Sequence, residues 1–247
     1  MPFFKGTIHD LTGRNKKTEK LIGIIMVILL FISMLLLAKE AADISSASLE
    51  IDRNNKGKTV VLDAGHGAAD SGKIGINDAM EKDINLQIAQ RVKKLLEAQD
   101  IQVYMTREDD QGFYPESGTN KKVQDMKKRV EFINEKQPDL TVSIHQNSYE
   151  QESIHGAQVF YYGTSPQGKD AAQVMQKQLI TSLDKTNRRQ AKNNTSYYLL
   201  KKTRTPIIIV ECGFLSNRKE AEQLTDDSYQ EKLAWAIHLG IIRYLNM

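Results

Sequence analysis

The chain has 247 residues, 40 % of them hydrophobic and 26 % charged, with a formal net charge of +3. That balance fits a globular protein and is too weakly basic to imply nucleic acid as a partner. The aromatics are not interleaved with a basic stripe, although an anionic polymer stays compatible with the charge. The single cysteine excludes an internal disulfide and leaves the redox compartment undecided.

Arg14, Lys16, Lys17 and Lys20 precede an uncharged apolar run from Leu21 to Ala38. This run exceeds a usual signal-peptide core and is just long enough to span a bilayer. Its basic flank stays cytoplasmic, so everything after Lys39 is exported, membrane-anchored or secreted. A small-x-small site, Ser45-Ser46-Ala47, lies well past the apolar core, and both an uncleaved anchor and a cleaved signal remain open. Residues 1–42 thus read as a basic segment plus a signal or anchor helix. Residues 43–58, polar and rich in Ser, Asn and Lys, read as a linker. Residues 59–247 are of a size that suits one domain with a sizeable core.

Within that domain, Thr59–Asp63 is a short β-branched run and predicts a buried strand. Ile84, Ile88, Val92 and Leu95 recur at helical spacing behind Asp83 as N-cap. Gln102–Thr106 predicts a second strand, and residues 108–120, with Gly, Pro and Ser, a surface loop. Val123, Met126, Val130 and Ile133 mark a helix closed by Pro138. Thr141–Ile144 and Ala157–Tyr162 predict further strands, and Ala171, Met175, Gln178 and Leu179 a helix ending near Lys185. Residues 187–206 form a long, basic, non-periodic connection. Ile207–Val210 is the last strand, and Tyr229, Leu233, Ile237, Ile241 and Tyr244 lie on a final helix. Strands alternating with amphipathic helices give an α/β class, a single-domain three-layer sandwich around a largely parallel sheet. Ligands bind such sheets beyond the carboxyl ends of the strands.

The polar residues at those ends carry the chemistry. His66 lies between two glycines after the first strand, and His145 and Glu211 close the third and last strands. Glu81 opens the first helix of the domain. Two imidazoles and a carboxylate can hold a catalytic zinc with one position left for water, and a further carboxylate can then move protons. Each residue also has a plainer reading. His66 can be a turn histidine, His145 a core histidine, and Glu81 a residue that complements the helix dipole. Glu211 follows four β-branched residues and needs a cation, a donor or a proton to offset its burial. Asp63 reads as a group that orients an imidazole, with a rival role as ligand. Cys212, with His145 as base, is a competing nucleophile for a thiol amidase. It alternates with Glu211 along the strand and so points to the other side. His9 falls in the cytoplasmic segment, His155 at the rim of the proposed edge, and His238 in the final helix as a structural residue. Arg188, Arg189, Lys192, Lys201, Lys202 and Arg204 form either a solvated loop or a positive lip for a carboxylate-bearing substrate.

Four separated segments resemble the signatures of the zinc-dependent N-acetylmuramoyl-L-alanine amidases of the amidase-3 type. They are Asp63-Ala64-Gly65-His66-Gly67, Glu81-Lys82, Ser143-Ile144-His145-Gln146-Asn147 and the run from Val210 to Asn217. The resemblance runs from about Thr59 to Leu245 and takes in Thr106-Arg107 and Arg129 through Asn134. It implies a Zn2+ enzyme that hydrolyses the amide between N-acetylmuramic acid and L-alanine in peptidoglycan. On that resemblance His66, Glu81 and His145 bind the metal and Glu211 is catalytic. The absence of wall-binding repeats and the segment Asn194–Leu200 are similar to the germination-specific amidases of endospore formers. Those act on cortex peptidoglycan ahead of muramic δ-lactam formation. No plugging insertion is evident, so regulation is expected from timed expression or from a protein partner that aids zinc loading or localisation. Ala68 stands where the family often has another glycine, and Gln146 and Ser148 replace commoner alanines; these departures bear on cleft shape. A wall-binding module that has lost catalysis is the non-enzymatic alternative.

Overall fold

In the computed structural model, residues 16–55, 57–114 and 117–247 are described. His9 and Arg14, read as cytoplasmic, lie outside them. Helix α1 (Lys16–Asn55) carries a stretch, Glu19–Ala41, with a mean hydropathy of 3.1 and no buried surface, long and apolar enough to cross a membrane. It continues through residues 43–55, expected as an irregular linker. That stretch lacks Gly and Pro, so nothing interrupts the i to i−4 ladder.

The domain then alternates as expected: β1 (Thr59–Ala64), α2 (Glu81–Glu97), β2 (Gln102–Met105), α3 (Lys121–Lys136), β3 (Leu140–Asn147), β4 (Gln158–Tyr161), α4 (Pro166–Ser182), β5 (Lys192–Asn193), α5 (Tyr198–Lys202), β6 (Ile207–Phe214), α6 (Arg218–Thr225) and α7 (Asp227–Leu245). The strands form one sheet in the order β2-β1-β3-β6-β4-β5, parallel throughout except for the β4–β6 pair. From β1 the chain crosses through α2 to β2 on one side, while β3 joins β1 on the other. The boundary between β1 and β3 is therefore the topological switch point.

Alternation within each strand divides the core between two faces. Val60, Leu62 and Ala64 of β1, Val142 and Ile144 of β3, and Ile208, Val210 and Cys212 of β6 join residues of α2, α4, α6 and α7 in one apolar cluster. Val61, Ile207 and Ile209 join Val130 and Ile133 of α3 and Leu199 and Leu200 of α5 in the other. Odd-numbered positions of β1, β3 and β6, including Asp63, Ser143, His145 and Glu211, thus belong to the α3–α5 face. The three layers are α2/α4/α6/α7, sheet, and α3/α5.

Several elements differ from the sequence reading. β3 and β6 run three and four residues further, so His145 and Glu211 lie inside strands. In β6 this extension is carried by a bulge, as His145 pairs with Glu211 but Asn147 pairs with Phe214. Helix α2 starts at Glu81 with Met80 as N-cap and no side-chain cap, which leaves Asp83 in its first turn. The start is set instead by tertiary pairing, with Ile74 bridged to Met80 and Glu81 N bonded to Lys73 O at 2.9 Å. Helix α6 was not anticipated; Asn217 Oδ1 accepts from Glu220 N at 3.0 Å and caps it. The connection 187–206 contains β5 and α5, both too short to show a period.

Candidate metal centre

The chain leaves β1 through Gly65 and enters left-handed backbone at His66 (φ 63°) and Ala68 (φ 50°). Gly65 is required by close approach, because a Cβ there would overlap the imidazole of His145. Gly72 (φ 68°) is required twice over, since its Cβ would also stand 2.5 Å from Glu81 Oε2. These turns bring His66 against the start of α2. Glu81 Oε1 lies 3.2 Å from His66 Nε2 and 3.0 Å from His145 Nδ1. One donor atom from each of the three residues lies within 4.8 Å of the others. Ligands about 2.0–2.1 Å from a tetrahedral zinc stand about 3.3 Å apart, so the spacing and the mixed imidazole–carboxylate donor set fit that ion.

The carboxylate at the centre is 2 % exposed and also accepts from Gln146 N at 3.0 Å and Lys73 N at 2.8 Å. Burial would raise its pKa, but the hydrogen bonds and charges of His145 and His66 outweigh burial and hold it far below the usual carboxylate range. Burial pulls His145 down while Glu81, and then Glu211, lift it further, to about 9. The far nitrogen of His66, Nδ1, faces Asp70 Oδ2 at 2.9 Å, and Asp70 is in turn held by Lys122 Nζ at 3.0 Å. Asp70 is thus the carboxylate that orients an imidazole, the role expected of Asp63. It escaped the sequence reading because the turn that folds it back, Gly67 N to Asp70 O and Asp70 N to Gly67 O, is closed by backbone atoms.

Asp63 is engaged elsewhere. Its Oδ1 accepts from Arg129 Nη1 and Thr106 Oγ1, both at 2.7 Å, and its Oδ2 accepts from Ser143 Oγ at 2.6 Å. Burial opposes ionisation, yet Arg129 and these hydroxyls outweigh it and hold the pKa at about 2. Arg129 also binds Asp125 at 2.7 Å and donates to the carbonyls of Ala64 and His66. Asp63 therefore braces the floor of the site and ligates nothing.

Glu211 stands beside His145 in register on the adjacent strand. It is 8 % exposed, and its Oε2 is buried without a hydrogen-bond partner among the described residues. Burial raises its pKa, reinforced by Glu81 and tempered by the two histidines, to about 7. A carboxylate so placed can accept and return a proton near neutrality.

His66, Glu81, His145 and Glu211 all line one cavity of about 450 Å³. Lys73, Lys122 and Arg129 are its cationic members, whereas none of the six basic residues of the 187–206 connection lines it. That connection contributes Tyr197, Tyr198 and Leu199 instead, so it is not a positive lip. Cys212 is 2 % exposed, packs on the opposite face of the sheet, and has its thiol pKa pushed up by burial. It does not reach the cavity, which removes the thiol mechanism. His155 is exposed and bonded to Ser153 O, off the cavity. His238 is buried in α7, with Nε2 3.2 Å from Gln99 Oε1.

The domain also has known relatives. The family profile described as N-acetylmuramoyl-L-alanine amidase (Amidase_3) matches residues 60–243. The chain is 39 % identical over 191 residues to the germination-specific N-acetylmuramoyl-L-alanine amidase of Bacillus subtilis, covering 76 % of this chain and 80 % of that protein. Among solved structures, the CwlD amidase of Clostridioides difficile, in complex with the GerS lipoprotein, superposes with a TM-score of 0.75. It shares 42 % identity, covering 77 % of this chain and 99 % of that one. The amidase AmiC2 of Nostoc punctiforme gives 0.68 and 32 %, over 78 % and 99 % of the two chains. With the fold, the polar cavity at the switch point and these matches agreeing over one continuous span, the chain belongs to the Amidase_3 family of N-acetylmuramoyl-L-alanine amidases.

Proposed function

We propose that this amidase holds a single zinc ion through His66, Glu81 and His145 and uses Glu211 to move the proton. It would act on cortex peptidoglycan, removing stem peptides as a step toward muramic δ-lactam formation and germination. The observation that carries the reading is the buried Oε2 of Glu211, without a hydrogen-bond partner among the described residues, beside a cluster of three groups able to ligate a metal. When bound, zinc lowers the pKa of a water toward neutrality and polarises the scissile carbonyl. Glu211 accepts the proton of the attacking water and returns it to the leaving nitrogen of L-alanine. Asp70 fixes the ring of His66. Tyr197 and Tyr198, each more than one-third exposed, offer flat surfaces at the cavity wall, and Lys73 and Lys122 offer charge toward the anionic stem peptide.

The cortex assignment is supported by the similarity to the germination-specific amidase of Bacillus subtilis and to CwlD. Because the latter relative is described in complex with a lipoprotein, we extend a protein partner to this chain as well. Residues 59–247 would be the catalytic domain, exported behind the apolar part of α1 acting as signal or anchor. Mass analysis of purified cortex peptidoglycan after digestion tests the reading. Release of intact stem peptides beginning with L-alanine, abolished by a chelator and restored by zinc, is the expected result. Cleavage that survives chelation would overturn it, and full activity of the zinc-loaded protein alone would remove the need for a partner.

A further inference from the structure

Metal ligands must be held apart in the apoprotein, where nothing but the surrounding chain sets their spacing. The two segments that supply His66 and Glu81 are joined by a loop in which Lys73, Ile74 and Ile76 are exposed. His66 and Ala68 moreover adopt left-handed backbone, which is uphill for residues with a Cβ. Backbone bonds within the loop, Gly67 N to Asp70 O and Glu81 N to Lys73 O among them, hold part of this arrangement, and side-chain contacts select the rest.

Asn85 Nδ2 lies 3.1 Å from Gly65 O and 3.4 Å from Glu81 Oε1, and Asp110 accepts from Ala68 N and Lys82 Nζ. One further side chain spans backbone carbonyls of both segments. Arg107, two residues past the end of β2 and 3 % exposed, donates from Nε to Ala64 O at 2.9 Å and from Nη2 to Gly65 O at 3.1 Å. The same Nη2 donates to Lys82 O at 2.6 Å, the carbonyl next to Glu81, and Nη1 reaches Asp109 O at 3.0 Å. Two acceptors thus precede His66, one follows Glu81, and one lies in the loop after β2. Its charge is spent on carbonyl dipoles: among the described residues no carboxylate forms an ion pair with it. Arg129 grips the same turn a second time through Ala64 O and His66 O, but its own charge is answered by Asp63 and Asp125.

We propose that Arg107 is a positioning residue of the metal centre, its planar fork setting the separation of the His66 and Glu81 segments before the ion arrives. This rests on the metal reading above. A planar guanidinium reaches several carbonyls at once, whereas a lysine presents its donors from one nitrogen and cannot span them. Arg107→Lys keeps the charge and loses the span, so it separates geometry from electrostatics.

The test is zinc affinity, measured by competition with a chromogenic chelator, alongside the melting temperature of the zinc-free protein. Arg107→Lys and Arg107→Ala should bind zinc about ten- to a hundredfold more weakly, the range for groups that orient ligands. Guanidinium chloride, far below denaturing concentrations, should recover part of the affinity of Arg107→Ala, and methylammonium should not. Gly112→Ala supplies a variant that keeps the arginine, because its Cβ would press on Arg107 Cβ from 2.8 Å. A severalfold loss of affinity is expected there too. Parental affinity in Arg107→Lys and Gly112→Ala would overturn the proposal. So would weakening that merely follows loss of zinc-free stability and is blind to guanidinium. If the parent protein itself fails to bind zinc, the metal reading falls instead.

Discussion

Two clusters of buried charge lie on the same face of the sheet, and they are built in opposite ways. Around Arg129, the carboxylates of Asp63 and Asp125 each find the guanidinium at 2.7 Å, and Asp63 gains two hydroxyl donors besides. Its pKa stays at about 2. Two strands over from Asp63, Glu211 has a buried oxygen with no hydrogen-bond partner among the described residues and a pKa of about 7. The first cluster is closed and holds the β1 exit in place. The second is left open beside His145, where a proton is proposed to move. An acid whose bonding is complete is structural; an acid left short of a partner is available for chemistry.

The sharpest way to break this contrast is Glu211→Gln. The amide keeps the shape and loses the base, so kcat should fall about 10²–10⁴-fold, with zinc content unchanged by metal analysis. A variant that retains parental turnover would place Glu211 with the structural acids. Arg129→Met attacks the closed cluster, leaving Asp63 and Asp125 buried and unpaired. It should cost about 3–5 kcal/mol in urea unfolding, and a loss under 1 kcal/mol would show that the pairing is dispensable.

Acid sharpens the comparison further. Because folding depresses the Asp63 pKa from 3.8 to about 2, the stability it contributes is present above pH 4 and is lost as the pH falls toward 2. The amount is about 2 kcal/mol, and Asp63→Asn should flatten that part of the acid unfolding profile. If parent and variant lose stability in parallel, the pairing is weaker than its geometry implies. Cys212→Ala has the smallest expected effect. It removes a thiol on the far face of the sheet, so kcat/KM should be unchanged and stability should fall by about 1 kcal/mol. Lost activity in a folded Cys212→Ala protein would revive the thiol mechanism.

Much of this was legible from residue order. Apolar runs with period two or 3.6 predicted the strands and longer helices, since burial on one face leaves that period in the chain. His66, Glu81, His145 and Glu211 were legible because glycines and strand ends flank them and because their combination resembles known signatures. Asp70 and Arg107 were not, at least in their roles. Their partners are a ring folded back over a turn and backbone carbonyls on remote segments, and a carbonyl leaves no trace in residue identity. The start of α2 was missed for a related reason, as a bridge between Ile74 and Met80 replaces the side-chain cap. The choice between a solvated loop and a positive lip stayed open because charge can be counted along a loop but its direction cannot. Tyr197 and Tyr198, not the arginines and lysines around them, face the site.

Residue order by itself settled the α/β class, the apolar N-terminal stretch and the family, and it singled out the four groups proposed to carry the chemistry, because each rests on local period or residue identity. Tertiary structure alone decided which acids are paired and which is left open, and which arginine ties the His66 segment to the Glu81 segment. Those depend on strand register and on contacts between segments distant in the chain, where the same residue types are equally compatible with several pairings.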